Sequence, residues 1–282
     1  MNPQDYDYIR TLVKRRSGLV LSAEKQYLVE SRLLPVVRKQ GLGNLADLVR
    51  ALKTPTAAPL EKIVVEAMTT NESFFFRDKL PFEHFSKLIV PALLKARARE
   101  RRIRIWCTAA ATGQEPFSLA MALLDMKAAL AGWQIEILAT DISTDALNKA
   151  KAGLYSQFEV QRGLPIQKLV AHFAQLGDVW QISPEIRSMV TFRPFNLLND
   201  FTTVGIFDVV FCRNVLIYFD QPTKTDVLER LSRSLAPDGY LLLGAAETVV
   251  GLTPLFRPMP EQRGIYVPNP APAKVLRLAT AS

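Results

Sequence analysis

Cysteine and histidine are scarce: the 282-residue chain carries two of each, Cys107 and Cys212, His84 and His172. These four are too scattered for a Cys/His ligand set, so no metal site is expected. Both cysteines fall in apolar runs read as buried strands. A disulfide is therefore not expected, and a reducing, cytoplasmic compartment is. No apolar run approaches the ~20 residues that cross a bilayer, and the N-terminus MNPQDYDYIR is polar and acidic, unlike a signal peptide. Glycine is short where a dinucleotide site needs it. The turn after the first strand candidate has only Gly113, so the G-x-G-x-x-G fingerprint of an NAD enzyme is missing. No internal repeat is present.

What the chain does have is apolar bulk and positive charge. At 49% hydrophobic residues it can bury one large core, or a modest core plus a small second domain. The net charge is +8 and uneven: residues 1–60 hold ten Lys/Arg against five Asp/Glu, and Arg97–Arg104 (RARERRIR) is a second basic block. Nucleic acid, an acidic membrane surface or an acidic protein could each match this balance, and so could plain solvation.

Residues 5–52 read as helical from apolar spacing at Ile9, Leu12, Val13 and at Leu28, Leu33, Leu34, Val37. Ser22 looks like a helix start, and Asn44 is the expected cap of Leu45–Leu52. Glu61–Met68 continues the pattern, so residues 1–75 are expected to form a small all-helical domain, with Thr69–Arg77 in the linker. A helix is expected from Pro81 to about Arg99. Strand candidates then alternate with helices: Ile103–Thr108, Gln134–Thr140, Val190–Arg193, Val209–Cys212 and Tyr240–Gly244, with helices at Glu115–Ala131, Thr144–Ala152 and Thr223–Leu235. Such alternation predicts an α/β domain with a mostly parallel sheet covered on both faces. Residues 154–188 interrupt it with a small β-rich insertion around Gly177-Asp178. The Pro/Ala-rich stretch 269–282 is expected to be disordered.

The densest signal is Ile103–Ser118, IRIWCTAAATGQEPFS: a β-prone run, a small-residue turn, then a helix. Strand, tight turn and helix open a crevice for a nucleotide-like ligand at the strand end. Asp141 closes the second strand, where a carboxylate can accept both ribose hydroxyls of an adenosine ligand; it could instead cap the next helix. Asn196-Leu197 follows the third strand, where an Asn and an apolar neighbour can pin and sandwich an adenine, although Asn is common in turns. Arg213-Asn214 ends an apolar strand, and Tyr218 lies one helical turn on, able to face the same cleft or to pack at its rim. In TTNESFFFR, Asn71, Ser73 and Arg77 fall at even spacings, as on an extended segment with one polar side. Arg77 could pair with a carboxylate there.

This ordered set of motifs resembles the CheR-type chemotaxis receptor glutamate O-methyltransferases over about residues 5–268. TTNESFFFR is similar to the family's N-x-T-x-F-x-R-type signature, and RIWCTAAATGQEPFSLAM to its cofactor loop. ATDIS, FNLL, FCRNVLIYF and LLLGAAE fall in the family's order. Ser73 stands where Thr is usual and keeps the hydroxyl, while Phe117 stands where Tyr is usual and loses one. The resemblance implies a helical N-terminal domain joined to a Rossmann-like class I methyltransferase domain with a small β-subdomain. It implies S-adenosylmethionine as co-substrate and S-adenosylhomocysteine as product. The residues it places around that ligand are Asn71, Ser73, Arg77, Glu115, Asp141, Asn196, Leu197, Arg213 and Asn214, with Tyr218 and Arg77 as catalytic candidates beside the methyl.

It further implies a glutamate carboxylate of a chemoreceptor's cytoplasmic helices as acceptor, a group already anionic at neutral pH that needs no strong base. The acidic methylation helix would be drawn to Arg32, Arg38 and Lys39. Some members add a receptor's C-terminal peptide to the β-subdomain as an extra strand; the short segment between Phe173 and Val190 points to a member without that tether. Neither nucleic-acid binding nor membrane insertion is expected. The alternatives are a signalling module that binds S-adenosylmethionine or S-adenosylhomocysteine with little turnover, and a nucleic-acid methyltransferase. Against the latter, Arg213-Asn214-Val215 stands where amino-methylating enzymes carry Asn/Asp-Pro-Pro-aromatic, and Cys212 falls inside a strand.

Overall fold

Helix α1 (Pro3–Ser17) begins where the Asn2 side chain accepts the Asp5 N–H at 2.8 Å, and ends at Gly18, whose φ of 79° suits glycine. It is followed by α2 (Gln26–Lys39), α3 (Leu45–Leu52) and α4 (Ala58–Met68). The four bury Ile9, Val13, Val29, Leu33, Leu48 and Val64 in a core of their own. The structure is a computed structural model and describes residues 1–269. Asn44 caps α3 as expected, accepting the Asp47 N–H at 3.0 Å. Ser22 does not cap by its side chain: a single 3-10 turn (Ala23–Lys25) intervenes, and the Ser22 carbonyl accepts the Tyr6 hydroxyl. The helical reading of residues 5–52 thus resolves into three helices, with breaks at Gly18–Ser22 and at Gln40–Asn44, next to the expected start and cap.

The helix expected from Pro81 to about Arg99 is present as one unbroken run that ends at Ala96: α5 (Leu80–His84) passes through a π turn (Phe85–Ile89) into α6 (Val90–Ala96). Pro91 has no N–H to return to the preceding turn, and the ladder widens just before it, with the Val90 N–H reaching the Phe85 carbonyl.

The sheet domain follows in alternation: β1 (Arg102–Cys107), α7 (Gln114–Asp125), β2 (Gln134–Asp141), α8 (Thr144–Ala152). Helix α7 stops short of the expected Ala131. Its last residues tighten into three-residue turns so that the chain can reverse at Gly132, φ 77°, into β2. An inserted unit comes next: β3 (Leu154–Ser156), α9 (Gln157–Gln161), α10 (Ile166–His172), β4 (Phe173–Leu176), β5 (Val179–Ile182) and α11 (Pro184–Ser188). Its three strands form a separate antiparallel sheet, and β4 turns into β5 over Gly177-Asp178. The insertion is therefore as helical as it is β: α9 and α10 join β3 to β4, and α11 leads from β5 back to the main sheet.

The chain then returns with β6 (Val190–Pro194), β7 (Phe207–Cys212), α12 (Gln221–Arg233), β8 (Leu235–Leu243), β9 (Phe256–Pro258) and β10 (Ile265–Pro268). The main sheet has the order β6-β2-β1-β7-β8-β10-β9, with its first five strands parallel and β10 antiparallel to both neighbours. Strand alternation separates two cores: Ile103, Ile105, Cys107 and Phe211 face one, Trp106, Phe207 and Val210 the other. No helix among the described residues is long and apolar enough to cross a membrane. Of the expected disordered stretch, residues 270–282 lie outside the described part. Asn269 lies within it and donates to the Pro254 carbonyl.

This order has a consequence for function. From β1 the chain moves to one side, towards β2 and β6, and later returns to β7 on the other. The two halves part at the C-terminal ends of β1 and β7, the switch point where open α/β sheets bind ligands.

Candidate active site

At that switch point lies a solvent-connected cavity of about 850 Å³. All ten residues singled out from sequence line it: Asn71, Ser73, Arg77, Glu115, Asp141, Asn196, Leu197, Arg213, Asn214 and Tyr218. Their elements converge from four strand ends and the segment after α4.

The turn after β1 forms one wall. Ala110 and Ala111 are buried, and Ala111 is held at φ 47°, a left-handed conformation unusual for alanine. Its N–H donates to Asp141 Oδ2 at 2.8 Å. Gly113 ends the turn at φ 94°, and a Cβ there would sit 2.9 Å from that of Ala150. Asp141 is not the helix cap; Ser143 is, accepting the Ala146 N–H. The Asp141 carboxylate instead joins the two turns, taking the Ser143 N–H on Oδ1 at 2.9 Å. Burial pushes its pKa above the ordinary aspartate value, only partly offset by these bonds, and the nearby Glu66 charge adds to the rise.

A buried ion cluster forms the floor. Arg213 donates through Nη1 to Glu115 at 2.8 Å and through Nη2 to Asp78 at 2.7 Å and the Arg77 carbonyl at 3.0 Å. Burial raises the Glu115 pKa against the pull of the Arg213 guanidinium. Arg213 Nε is buried with no partner in the protein.

The segment carrying Asn71, Ser73 and Arg77 is not uniformly extended. Phe76, Asp78 and Lys79 are all left-handed, at φ 50°, 68° and 50°. This coil turns Arg77 back, so that Nη1 meets the Glu72 carbonyl and the guanidinium lies over the Phe74 ring. Phe75 is wholly buried against Tyr155 and Phe173.

One sequence reading needs correction and another an addition. Arg32 is no free surface charge. Its guanidinium donates to the carbonyls of Met68 and Thr69 and to the Thr70 hydroxyl, splinting the end of α4; Arg38 and Lys39 stay exposed. Asn196 has a tertiary duty beyond any ligand: Nδ2 donates to the Arg16 carbonyl at 2.6 Å, and Oδ1 accepts the Leu198 N–H.

Sequence reading also missed the helical domain's share of the cavity. Ser17 and Leu19 line it, and Leu19 bridges to Phe219 as in an antiparallel ladder, with the Val20 N–H donating to the Tyr218 carbonyl at 2.9 Å. No local pattern announces a contact between residues two hundred positions apart. The apolar neighbours Ile142, Phe195 and Phe219 were also unassigned. Both cysteines are free and buried, and burial drives both thiols well up, so neither offers a thiolate.

Comparison with known proteins places this geometry. Residues 71–265 match the family described as CheR methyltransferase, SAM binding domain, and residues 4–69 match the CheR methyltransferase all-alpha domain. The chain belongs to the CheR methyltransferase family. It is 42% identical to chemotaxis protein methyltransferase 1 of Pseudomonas aeruginosa, over 88% of this chain and 91% of that protein. It is 40% identical to chemotaxis protein methyltransferase Cher2 of Pseudomonas putida, over 88% and 91%, and to a chemotaxis protein methyltransferase of Vibrio anguillarum, over 91% and 93%. The chain is thus an S-adenosylmethionine-dependent methyltransferase of the chemotaxis type, and the expected fold class stands. The cavity fits that co-substrate: small residues, Thr108, Ala109 and Ala111, line it after β1, and Asp141 retains acceptor capacity beyond its two N–H partners.

Proposed function

We propose that this methyltransferase esterifies glutamate side chains on the cytoplasmic helices of chemoreceptors. The observation that carries the reading is the single cavity lined by all ten expected residues, with Tyr218 and Arg77 at it and no histidine among the lining residues. A carboxylate acceptor is already ionised at neutral pH, so such a site has no need of a general base.

In this reading S-adenosylmethionine supplies a methyl group on a sulfonium, an electrophilic carbon with a good thioether leaving group. Asp141 holds the ribose hydroxyls, and Leu197, with the remaining amide capacity of Asn196, flanks the adenine. Glu115 and the unpartnered Arg213 Nε meet the methionine end, with Asn71, Ser73 and Asn214 along the same wall. Tyr218 and Arg77 orient the acceptor carboxylate. Bringing the reacting atoms to ~3–3.5 Å in line, with water excluded, is worth several kcal/mol. The exposed Arg38 and Lys39 steer an acidic helix, which raises encounter rate more than final affinity. The two buried free cysteines suit the reducing cytoplasm where receptor tails lie. The domain boundary near residue 75 and independence from a peptide tether belong to the same proposal.

Incubation with methyl-labelled S-adenosylmethionine and receptor-containing membranes tests it. The expected result is label on the receptor that alkali releases as methanol, the behaviour of an ester. Alkali-stable label, label on nucleic acid, or cofactor binding without transfer would each defeat the glutamate reading.

A further inference from the structure

Glu247, the last residue of LLLGAAE, is a buried carboxylate outside the set of ten expected residues that line the cavity. It sits in the turn after β8 and is 9% exposed. Four backbone N–H groups converge on it. Asn214 and Gly244 donate to Oε2 at 2.8 and 2.7 Å, and Val215 and Ile217 donate to Oε1 at 2.9 and 3.2 Å. A carboxylate has about four lone-pair sites, so Glu247 is saturated and has nothing left for a ligand.

Three of those donors belong to the loop that leaves β7 with Arg213, Asn214 and Tyr218. This loop has little regular structure to satisfy it, only the 3-10 turn Leu216–Tyr218, and Asn214 is forced to φ 59°. Without Glu247 its N–H groups would lose their acceptors and the left-handed turn its restraint. Gly244 makes the approach possible: a Cβ there would lie 2.7 Å from Glu247 Oε2 and 3.0 Å from the Asn214 nitrogen.

We propose that Glu247 is a positioning residue for methyl transfer, fixing the Arg213–Tyr218 loop so that Tyr218 is presented to the acceptor. The inference rests on the reading of Tyr218 given above.

The test uses the full-length protein, with S-adenosylhomocysteine affinity measured by calorimetry and methyl transfer to receptor membranes at saturating cofactor. Glu247→Gln keeps the shape but aims an NH₂ at N–H donors. It is expected to lower kcat about tenfold or more, as a small misplacement of a reacting group does. In a Tyr218→Phe background the same change should cost no more than about twofold, because residues that act as a unit are not additive. Should Glu247→Gln fail to fold, Gly244→Ala displaces the carboxylate without removing it, and the same two outcomes are expected. Unchanged kcat in the folded variant, or an equal loss with and without the Tyr218 hydroxyl, would overturn the inference. Tyr218→Phe alone separates the two ideas: if it is fully active the Tyr218 reading fails, whereas if it is impaired and the losses still multiply only the Glu247 role fails.

Discussion

Asp141 and Glu247 are both buried carboxylates at the C-terminal ends of sheet strands, and both accept backbone N–H groups from a neighbouring turn. Asp141 takes two such bonds and still lines the cavity, so its burial leaves it strained towards protonation and able to gain from a further donor. Glu247 takes four and is finished. The difference divides the labour. The β2 side of the cavity is a preformed wall whose carboxylate can bind. The β7 side is a loop whose carboxylate only holds, while the loop is braced from outside by the helical domain through Val20 and Tyr218. One side should therefore govern affinity, the other turnover.

The largest expected effect is on the β2 side. Asp141→Ala should weaken S-adenosylhomocysteine binding about 10–100-fold, the loss of charge-assisted hydrogen bonds plus two orphaned N–H groups. Equal affinity in calorimetry would break the distinction at its first member. Next comes Tyr218→Phe, expected to reduce turnover about tenfold while leaving that affinity within about twofold; a parallel fall in affinity would merge the two sides.

A smaller effect is expected where the helical domain meets the sheet. Asn196→Ala removes the bond to the Arg16 carbonyl and should cost about 1 kcal/mol in chemical denaturation. The smallest concerns Asp220, whose bond to Lys14, with a further bond from Thr223, lowers its pKa to about 2. A depressed carboxylate stabilises the folded state above its unfolded value, near 3.9, and that contribution is lost as pH falls through about 2. The melting-temperature gap between wild type and Asp220→Asn should be full at neutral pH, shrink below about pH 4 and close near pH 2. Because the pair is exposed it should amount to at most about 1 kcal/mol and fade with salt.

Much of the sheet domain was legible because its signals are local. The apolar, β-prone run of Ile103, Ile105 and Trp106, the Asn44 cap and the Gly177-Asp178 hairpin each depend on neighbours a few residues away. The site residues were legible as a set of motifs in order, and they share one cavity. Contacts between side chains and distant backbone were not legible. Arg32 reads as a surface charge by composition but is spent on the end of α4. Asn196 reads as a turn residue but also latches α1. The long helix expected after Pro81 is there to Ala96, but its π turn was not legible, because the amphipathic pattern persists through a turn that changes only the hydrogen-bond ladder.

By itself the sequence determined the five parallel strands and the long helices between them, and which polar residues stand at those strand ends, because these follow from short-range periodicity and propensity; the short strands β9 and β10 and the insertion's helices carry too little pattern to be read. Only the tertiary structure decided that β7 lies beside β1, that the helical domain lines the cavity with Ser17 and Leu19, and that Asp141 opens onto the cavity while Glu247 is filled by four backbone donors. A carboxylate's role is set by how many donors reach it, and those donors arrive from chain segments whose distance along the sequence carries no signal.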